Sequence, residues 1–321
     1  LVDNRGFPLF ALLFGYGIGI LYRASQRRGE SSRRFLARQA RRHLVLLVIG
    51  LLHGILLFTG DILAAYALVG MLCAWLATRG RLPLMIMAGL ALPALGLWGW
   101  ADGVIGLGSG DGYVSAQASS YGSSLQIRTG EVLRSAALTP IMDIGLLSPM
   151  ALGALAARYR LLEDVRVHAD LLGPLVRWGL GIGLAGAIPL TVVLIADPHH
   201  LTLTSQTVLG ILGVIHQLTG VPGAVGAAAL AALIAHRFRG RVLWAIEALG
   251  ATALTAYIAQ SLLFLVLMPA FTLGLGAQLG TAGATVIALG GWLLMLPLAA
   301  ALRARDRRGP LEWLLRYLAG S

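Results

Sequence analysis

There is no lysine in this sequence: all 25 basic residues are arginine, set against 14 acids. There is one cysteine, Cys73, inside an apolar run, so no intrachain disulfide can form. No Cys/His cluster has the spacing of zinc ligands, and no metal site is expected. The phosphate-cradling Gly-x-x-x-x-Gly-Lys-Ser/Thr, His-Glu-x-x-His and Gly-x-Ser-x-Gly patterns are all missing, so nothing points to ATP-driven transport or a zinc hydrolase. Charge itself is scarce. Only 12% of residues are charged and 57% are hydrophobic, with a mean hydropathy of +0.80, whereas soluble domains carry about 25% charged residues. A formal charge of +11 with a pI near 10.9 would suggest nucleic acid in a soluble protein. Here the charges fall in short clusters between apolar runs, which argues against nucleic acid and makes the lipid bilayer the partner.

What is present is organised around residues 38–70. A basic cluster with Arg38, Arg41 and Arg42 precedes an apolar run long enough to cross a hydrocarbon core about 30 Å thick. His53 interrupts that run, Gly60-Asp61 closes it, and a second run follows. Asp61 suits a helix N-cap, where a carboxylate accepts from free N–H groups at the positive end of the dipole. The pattern is that of a helical hairpin.

About nine spans are expected along the chain, each near the length a helix needs to cross: 7–22, 44–59, 62–77, 82–101, 141–159, 175–196, 208–235, 242–271 and 282–302. The fold class is therefore all-α, one integral membrane domain over 1–321. The eighth run exceeds one crossing and is expected to begin with an interfacial turn near Glu247. Arginines cluster in alternate loops, after the first, third, fifth, seventh and ninth spans. By the positive-inside rule those loops and the C-terminus are cytoplasmic. Residues 24–42 are then a basic cytoplasmic loop, and the Gly/Ser-rich stretch 102–134 an external loop, either a connector or a lid over an outward cavity. Residues 309–320, with Trp313 and Tyr317, read as an interfacial helix. The chain starts at Leu1 with no signal peptide before the first span. An outside start would be resolved by a preceding span, so about ten helices are expected in the full protein.

Ionisable groups at mid-membrane usually face the bundle interior. His53 is either a general base for an acceptor hydroxyl or amine, or a neutral side chain bonded to a neighbouring helix. Asp61 is a cap, part of a site, or both. On one continuous helix the eight residues between them give an offset of about 12 Å, so the two should not touch. Arg38, Arg41 and Arg42 offer guanidinium forks for the phosphates of a CoA, or serve topology and anionic lipid. Tyr257 and Gln260 share a helix face with Ser261 nearby, as site lining or as interhelix glue. Asp143 lies near Pro140 and Pro149, which signal helix irregularity and hence a cavity. Glu247 and His216-Gln217 are the other polar groups near the bilayer.

Several short motifs resemble the YeiB family of bacterial inner-membrane proteins, a domain of unknown function. They are Phe10 with Leu13-Phe14-Gly15, Arg41-Arg42, His53, Gly60-Asp61-Ile62-Leu63 with Tyr66, Ala253-Leu254-Thr255-Ala256-Tyr257 with Gln260-Ser261, and Gly309-Pro310-Leu311-Glu312-Trp313. The Asn that members carry after the Leu-Thr pair is Ala256 here. That family is similar in turn to a transmembrane acyltransferase superfamily that includes the lysosomal heparan-glucosaminide acetyltransferase. Its members pass an acyl group from cytoplasmic acyl-CoA to an acceptor across the membrane. The Phe7-Pro8-Leu9-Phe10 to Gly15 run resembles the second helix of the lysosomal enzyme, whose proposed catalytic histidine lies shortly before it. The resemblance implies a bacterial cytoplasmic membrane location and acyl transfer to an envelope glycan or small molecule. On this reading His53 and Asp61 are catalytic, Arg38, Arg41 and Arg42 hold acyl-CoA, and Asp143, Tyr257 and Gln260 contact substrate. A small-molecule transporter or permease, and a non-catalytic membrane scaffold, are the alternatives.

Overall fold

The computed structural model describes residues 5–105, 113–197 and 202–320. Among the described residues there is no β-strand. The α-helices are α1 (Gly6–Arg27), α2 (Ser32–Leu56), α3 (Leu63–Arg79), α4 (Arg81–Leu90), α5 (Leu92–Ile105), α6 (Tyr121–Met142), α7 (Leu147–Arg158), α8 (Ala169–Ala196), α9 (Gln206–Arg237), α10 (Arg241–Ala251), α11 (Ala253–Leu267), α12 (Leu275–Ala304) and α13 (Pro310–Ala319). The protein is an all-α polytopic membrane bundle.

Among the described residues six helices or end-to-end helix runs are long and apolar enough to cross a membrane, and two bent pairs raise the number to eight. The bent pairs are Tyr121–Met142 with Ile144–Arg158, at 54°, and Arg241–Ala251 with Ala253–Leu267, at 83°. α3 is apolar but has only 17 residues. The sequence count of nine is thus approximate, because it gave α3 and each bent pair the same weight as an unbroken crossing.

Three boundaries differ from the sequence expectation. The basic stretch 24–42 is mostly helix, with only residues 28–31 between α1 and α2. Arginine is a good helix former, so a basic run need not be a loop. The 102–134 stretch is also largely helical. α5 runs to Ile105, a short 3-10 turn covers Val114–Ala116, and α6 starts at Tyr121; residues 106–112 lie outside the described residues. The break in the eighth run falls at Thr252, not at Glu247, which sits inside α10.

The chain divides into two compact units. The first takes in Leu1–Gln39, Ala65–Gly110 and Leu138–Arg237. It is held by close backbone approach. α1 packs on α7 at Gly15 and Gly153, where an added Cβ would overlap the Met150 and Leu12 carbonyl oxygens respectively. α5 packs on α9 in the same way through Gly99, Gly103 and Gly213. Bilayers provide little hydrophobic drive between helices, so small residues that allow such contact do the packing. Tyr66 on α3 donates to the Phe7 carbonyl at 2.9 Å and meets Phe10 and Phe14 edge to face.

The turn after α1 is tied by Glu30. Its carboxylate accepts from Ser25 Oγ at 2.6 Å, Arg28 Nε at 2.8 Å, and Arg38 at 2.6 and 3.1 Å. The hydrogen bonds from Arg38, then Arg28 and Ser25, hold the Glu30 pKa well below the usual carboxylate range.

The second unit takes in Ala40–Ala64, Asp111–Ala137 and Phe238–Ser321. Its helices α10 and α12 pack around Ala248, Leu249 and Ala299. α12 is kinked at Gly280, whose φ of 56° favours glycine.

Gly153→Ala should overpack the α1–α7 contact and lower stability by about 1–3 kcal/mol. Gly17→Ala, where an added Cβ meets nothing within 4 Å, should be close to neutral; thermal unfolding in detergent reads both. Glu30 has a depressed pKa, so its stabilisation is present above the unfolded carboxylate pKa of about 4.3 and is lost as pH falls through the folded value. The melting difference between wild type and Glu30→Gln should therefore be largest near neutral pH and shrink on acidification; a pH-independent difference would contradict the tie.

Candidate functional site

The site lies in the second unit, where α2 ends and the chain turns back into α3. α2 stops at Leu56, and the His53 carbonyl accepts from both Leu57 and Phe58 N–H groups, at 2.8 and 3.1 Å. The next carbonyls are met by side chains from α6. Arg128 Nε donates to Ile55 O at 2.8 Å, and the Tyr121 hydroxyl donates to Leu56 O at 3.0 Å. These are the orphan acceptors of a helix end, and a cation there also faces the negative end of the dipole.

The chain then returns so that Asp61 lies against α2. His53 Nδ1 and Asp61 Oδ1 are 2.7 Å apart, with side chains 0% and 3% exposed. Asp61 Oδ2 accepts the Ala64 N–H at 2.9 Å, so the carboxylate caps the start of α3 as well. The cap and the site are one group. This corrects the expectation that His53 and Asp61 cannot touch. That reasoning assumed an unbroken helix, whereas residues 57–62 lie outside one and bring the aspartate back alongside. Gly50 makes room for the return, since a Cβ there would lie 2.5 Å from the Ala64 nitrogen and 2.8 Å from Asp61 Oδ2.

An ionised carboxylate only accepts, so Nδ1 carries the hydrogen. Nε2 of His53 is buried and has no hydrogen-bonding partner among the described residues. In the neutral ring it is therefore a free lone pair. The His53 ring lies 4.8 Å from the ring of Tyr257 on α11.

Tyr257 also lines a cavity of about 490 Å³. It is lined by Gln260 and Phe264 of α11, Met268 just after that helix, Leu57 and Phe58 after α2, and Arg128 of α6. His53 is not among the lining residues, so Tyr257 is the group common to the pair and the cavity.

α11 is positioned from the C-terminal helix. Glu312 accepts the Thr255 N–H at 3.0 Å and the Thr255 hydroxyl at 2.5 Å. The Leu311 N–H donates back to Thr255 Oγ1 at 3.1 Å. A Cβ at Gly309 would run into the Glu312 carboxylate and lie 2.6 Å from Thr255 Oγ1. The Gly-Pro-Leu-Glu-Trp and Ala-Leu-Thr-Ala-Tyr motifs thus form one clasp, which fixes the start of the helix carrying Tyr257 and Gln260.

The other sequence candidates are divided between the two units. Arg38 is engaged by Glu30 in the first unit. Arg41 and Arg42 follow on α2 within the second unit, with Arg42 in Coulombic range of Arg316 on α13. Asp143 belongs to the first unit, at the bend between α6 and α7, and Tyr257 and Gln260 to the second. Glu247 is 46% exposed and pairs with Arg303 at 3.2 Å. His216 and Gln217 are buried in the first unit, where Arg5 donates to the His216 carbonyl at 2.7 Å. Among the described residues no cluster of three or more His, Cys, Asp or Glu has metal-binding geometry. Arg128 was missed by the sequence reading, hidden in a stretch expected to be loop. Its signal was an arginine, with Arg134 the only other, in an otherwise arginine-poor segment.

The chain is 24% identical over 344 aligned residues to the uncharacterized protein YxaH of Bacillus subtilis (strain 168), covering 98% of this chain and 79% of that protein. It is 41% identical over 71 residues to the uncharacterized protein YeiB of Escherichia coli (strain K12), covering 22% of this chain and 16% of that protein. No solved structure matches. Residues 156–321 match the family described as Protein of unknown function (DUF418), which spans α8 to α13 and the clasp that fixes α11, and the chain belongs to that family.

Proposed function

We propose that the chain is a membrane acyltransferase in which Asp61 orients His53 and His53 Nε2 serves as general base. The observation that carries this reading is the buried His53–Asp61 pair with Nε2 left without a partner. In the step proposed, Nε2 takes the proton of an acceptor hydroxyl or amine as the acceptor atom attacks the thioester carbonyl of an acyl-CoA. The carbon–sulfur bond breaks, and the imidazolium returns its proton to the departing thiolate. Asp61 keeps the Nδ1 hydrogen in place and balances the imidazolium charge while it exists, at a site from which water is excluded.

The cavity beside Tyr257 supports the same reading, since its apolar walls with a few polar groups suit an acyl chain or a lipid-like acceptor. For the donor, Arg41 and Arg42 are better placed than Arg38, whose guanidinium is held by Glu30. The resemblance to transmembrane acyltransferases is further support. The arginine distribution favours a bacterial cytoplasmic membrane protein with its C-terminus in the cytoplasm, the acceptor being reached from the other side.

The two bent helix pairs favour a second reading, passage of a small molecule through the bundle. Flux into vesicles that depends on Asp143 or Glu247 and needs no acyl-CoA would select it.

With the full-length protein, labelled acyl-CoA should bind saturably by calorimetry, and Arg41→Ala/Arg42→Ala should weaken that binding. His53→Ala and Asp61→Asn should each lower transfer to a membrane-extract acceptor by about 10²–10⁴-fold with binding retained. A folded protein that binds no acyl-CoA would sink the proposal. Orientation is checked separately: a green fluorescent protein fused at the C-terminus should fluoresce, and an alkaline phosphatase fused there should be inactive.

A further inference from the structure

The cavity in the second unit contains a charge that the transfer chemistry does not use. Arg128 is 2% exposed and lines the cavity. Its Nε is committed to Ile55 O, its Nη1 reaches Leu57 O only at 3.5 Å, and the Tyr121 ring lies 5.0 Å from the guanidinium carbon. Nη2 is buried with no hydrogen-bond partner among the described residues. Among the described residues no carboxylate lies within ion-pair distance of Arg128, and none lines the cavity. The end of α2 supplies about half a negative charge, so capping alone leaves net positive charge unbalanced. A buried cation is costly unless it is paired. The remaining lining is mostly apolar, with Phe58, Phe264, Leu265 and Met268 among it, and its other polar side chains are the neutral Tyr113, Ser115, Tyr257, Gln260 and Ser261.

We propose that Arg128 is the head-group anchor of this cavity, and that its ligand is an amphiphile with an anionic head, a carboxylate or a phosphate monoester, and an apolar chain along Phe58, Phe264, Leu265 and Met268. The inference rests on the same cavity as the transfer reading and names the class of molecule it takes, but it concerns binding and needs no turnover. A guanidinium with one edge engaged by backbone oxygens and Nη2 free matches one oxygen of either head group.

The test uses purified protein in nanodiscs of zwitterionic phospholipid, with dodecanoate, dodecyl phosphate, dodecanol and inorganic phosphate as probes. Both anionic amphiphiles should bind saturably, with dodecanol about 10-fold weaker or worse and inorganic phosphate undetectable. The tighter of the two anionic probes identifies the head group. Arg128→Gln should bring the anionic probes down to the level of dodecanol, and Arg128→Lys should keep much of the preference. Because Arg128 also caps α2, Phe264→Trp supplies a variant that fills the cavity and leaves the cap alone. It should abolish binding of every probe with thermal unfolding unchanged. Dodecanol binding as tightly as dodecanoate would overturn the proposal, as would inorganic phosphate binding as tightly as dodecyl phosphate. Unchanged affinities in folded Arg128→Gln or Phe264→Trp protein would do the same. Probe binding without acyl transfer would leave this inference standing and remove the catalytic one; transfer without probe binding would do the reverse.

Discussion

A helix end packed within the protein exposes backbone groups that have no partner in their own helix, so side chains must reach them. Much of the second unit follows from that requirement. α2 ends at Leu56 within an apolar sequence, and Arg128 and Tyr121 take its carbonyls. α3 begins with Asp61 accepting the Ala64 N–H. α11 begins at an 83° bend, and Glu312 takes the Thr255 N–H. Each cap is an ionisable or hydroxylated side chain placed in an apolar setting for a backbone reason. Two of the three caps also bear on the pocket, Asp61 through His53 and Arg128 by lining the cavity.

This explains why the two readings of Asp61, cap or site, need not compete. A carboxylate has two oxygens. One is spent on the helix start and the other on the imidazole. The histidine is thereby held in a single tautomer by a group that the fold already requires, and Gly50 supplies the close approach that makes the arrangement fit. The first unit solves a different problem, helix contact without hydrophobic drive, and uses glycine throughout: Gly15 against α7, Gly99 and Gly103 against α9.

Some of this was legible in the sequence. A histidine in an apolar run stands out, and so do Gly60-Asp61 and the Gly-Pro before α13. The all-α membrane class followed from composition alone. The contact between His53 and Asp61 was not legible, because Leu57 and Phe58 continue the apolar run past the true end of α2 and make the helix look longer than it is. The bend at Thr252 was displaced for the same reason: small apolar residues on both sides give hydropathy nothing to register. Arg128 was hidden by composition of the opposite kind. The Gly/Ser-rich residues before it read as loop, yet α6 begins at Tyr121 and carries the arginine into the unit. The pairing of Thr255 with Glu312 lies across 57 positions, beyond the reach of any local pattern.

That last contact sets an order of events during synthesis. α11 emerges from the ribosome well before α13, and until Glu312 follows, the first amide groups of α11 lack the partner they have in the finished protein. The second unit is therefore completed only when α13 closes onto a helix made earlier.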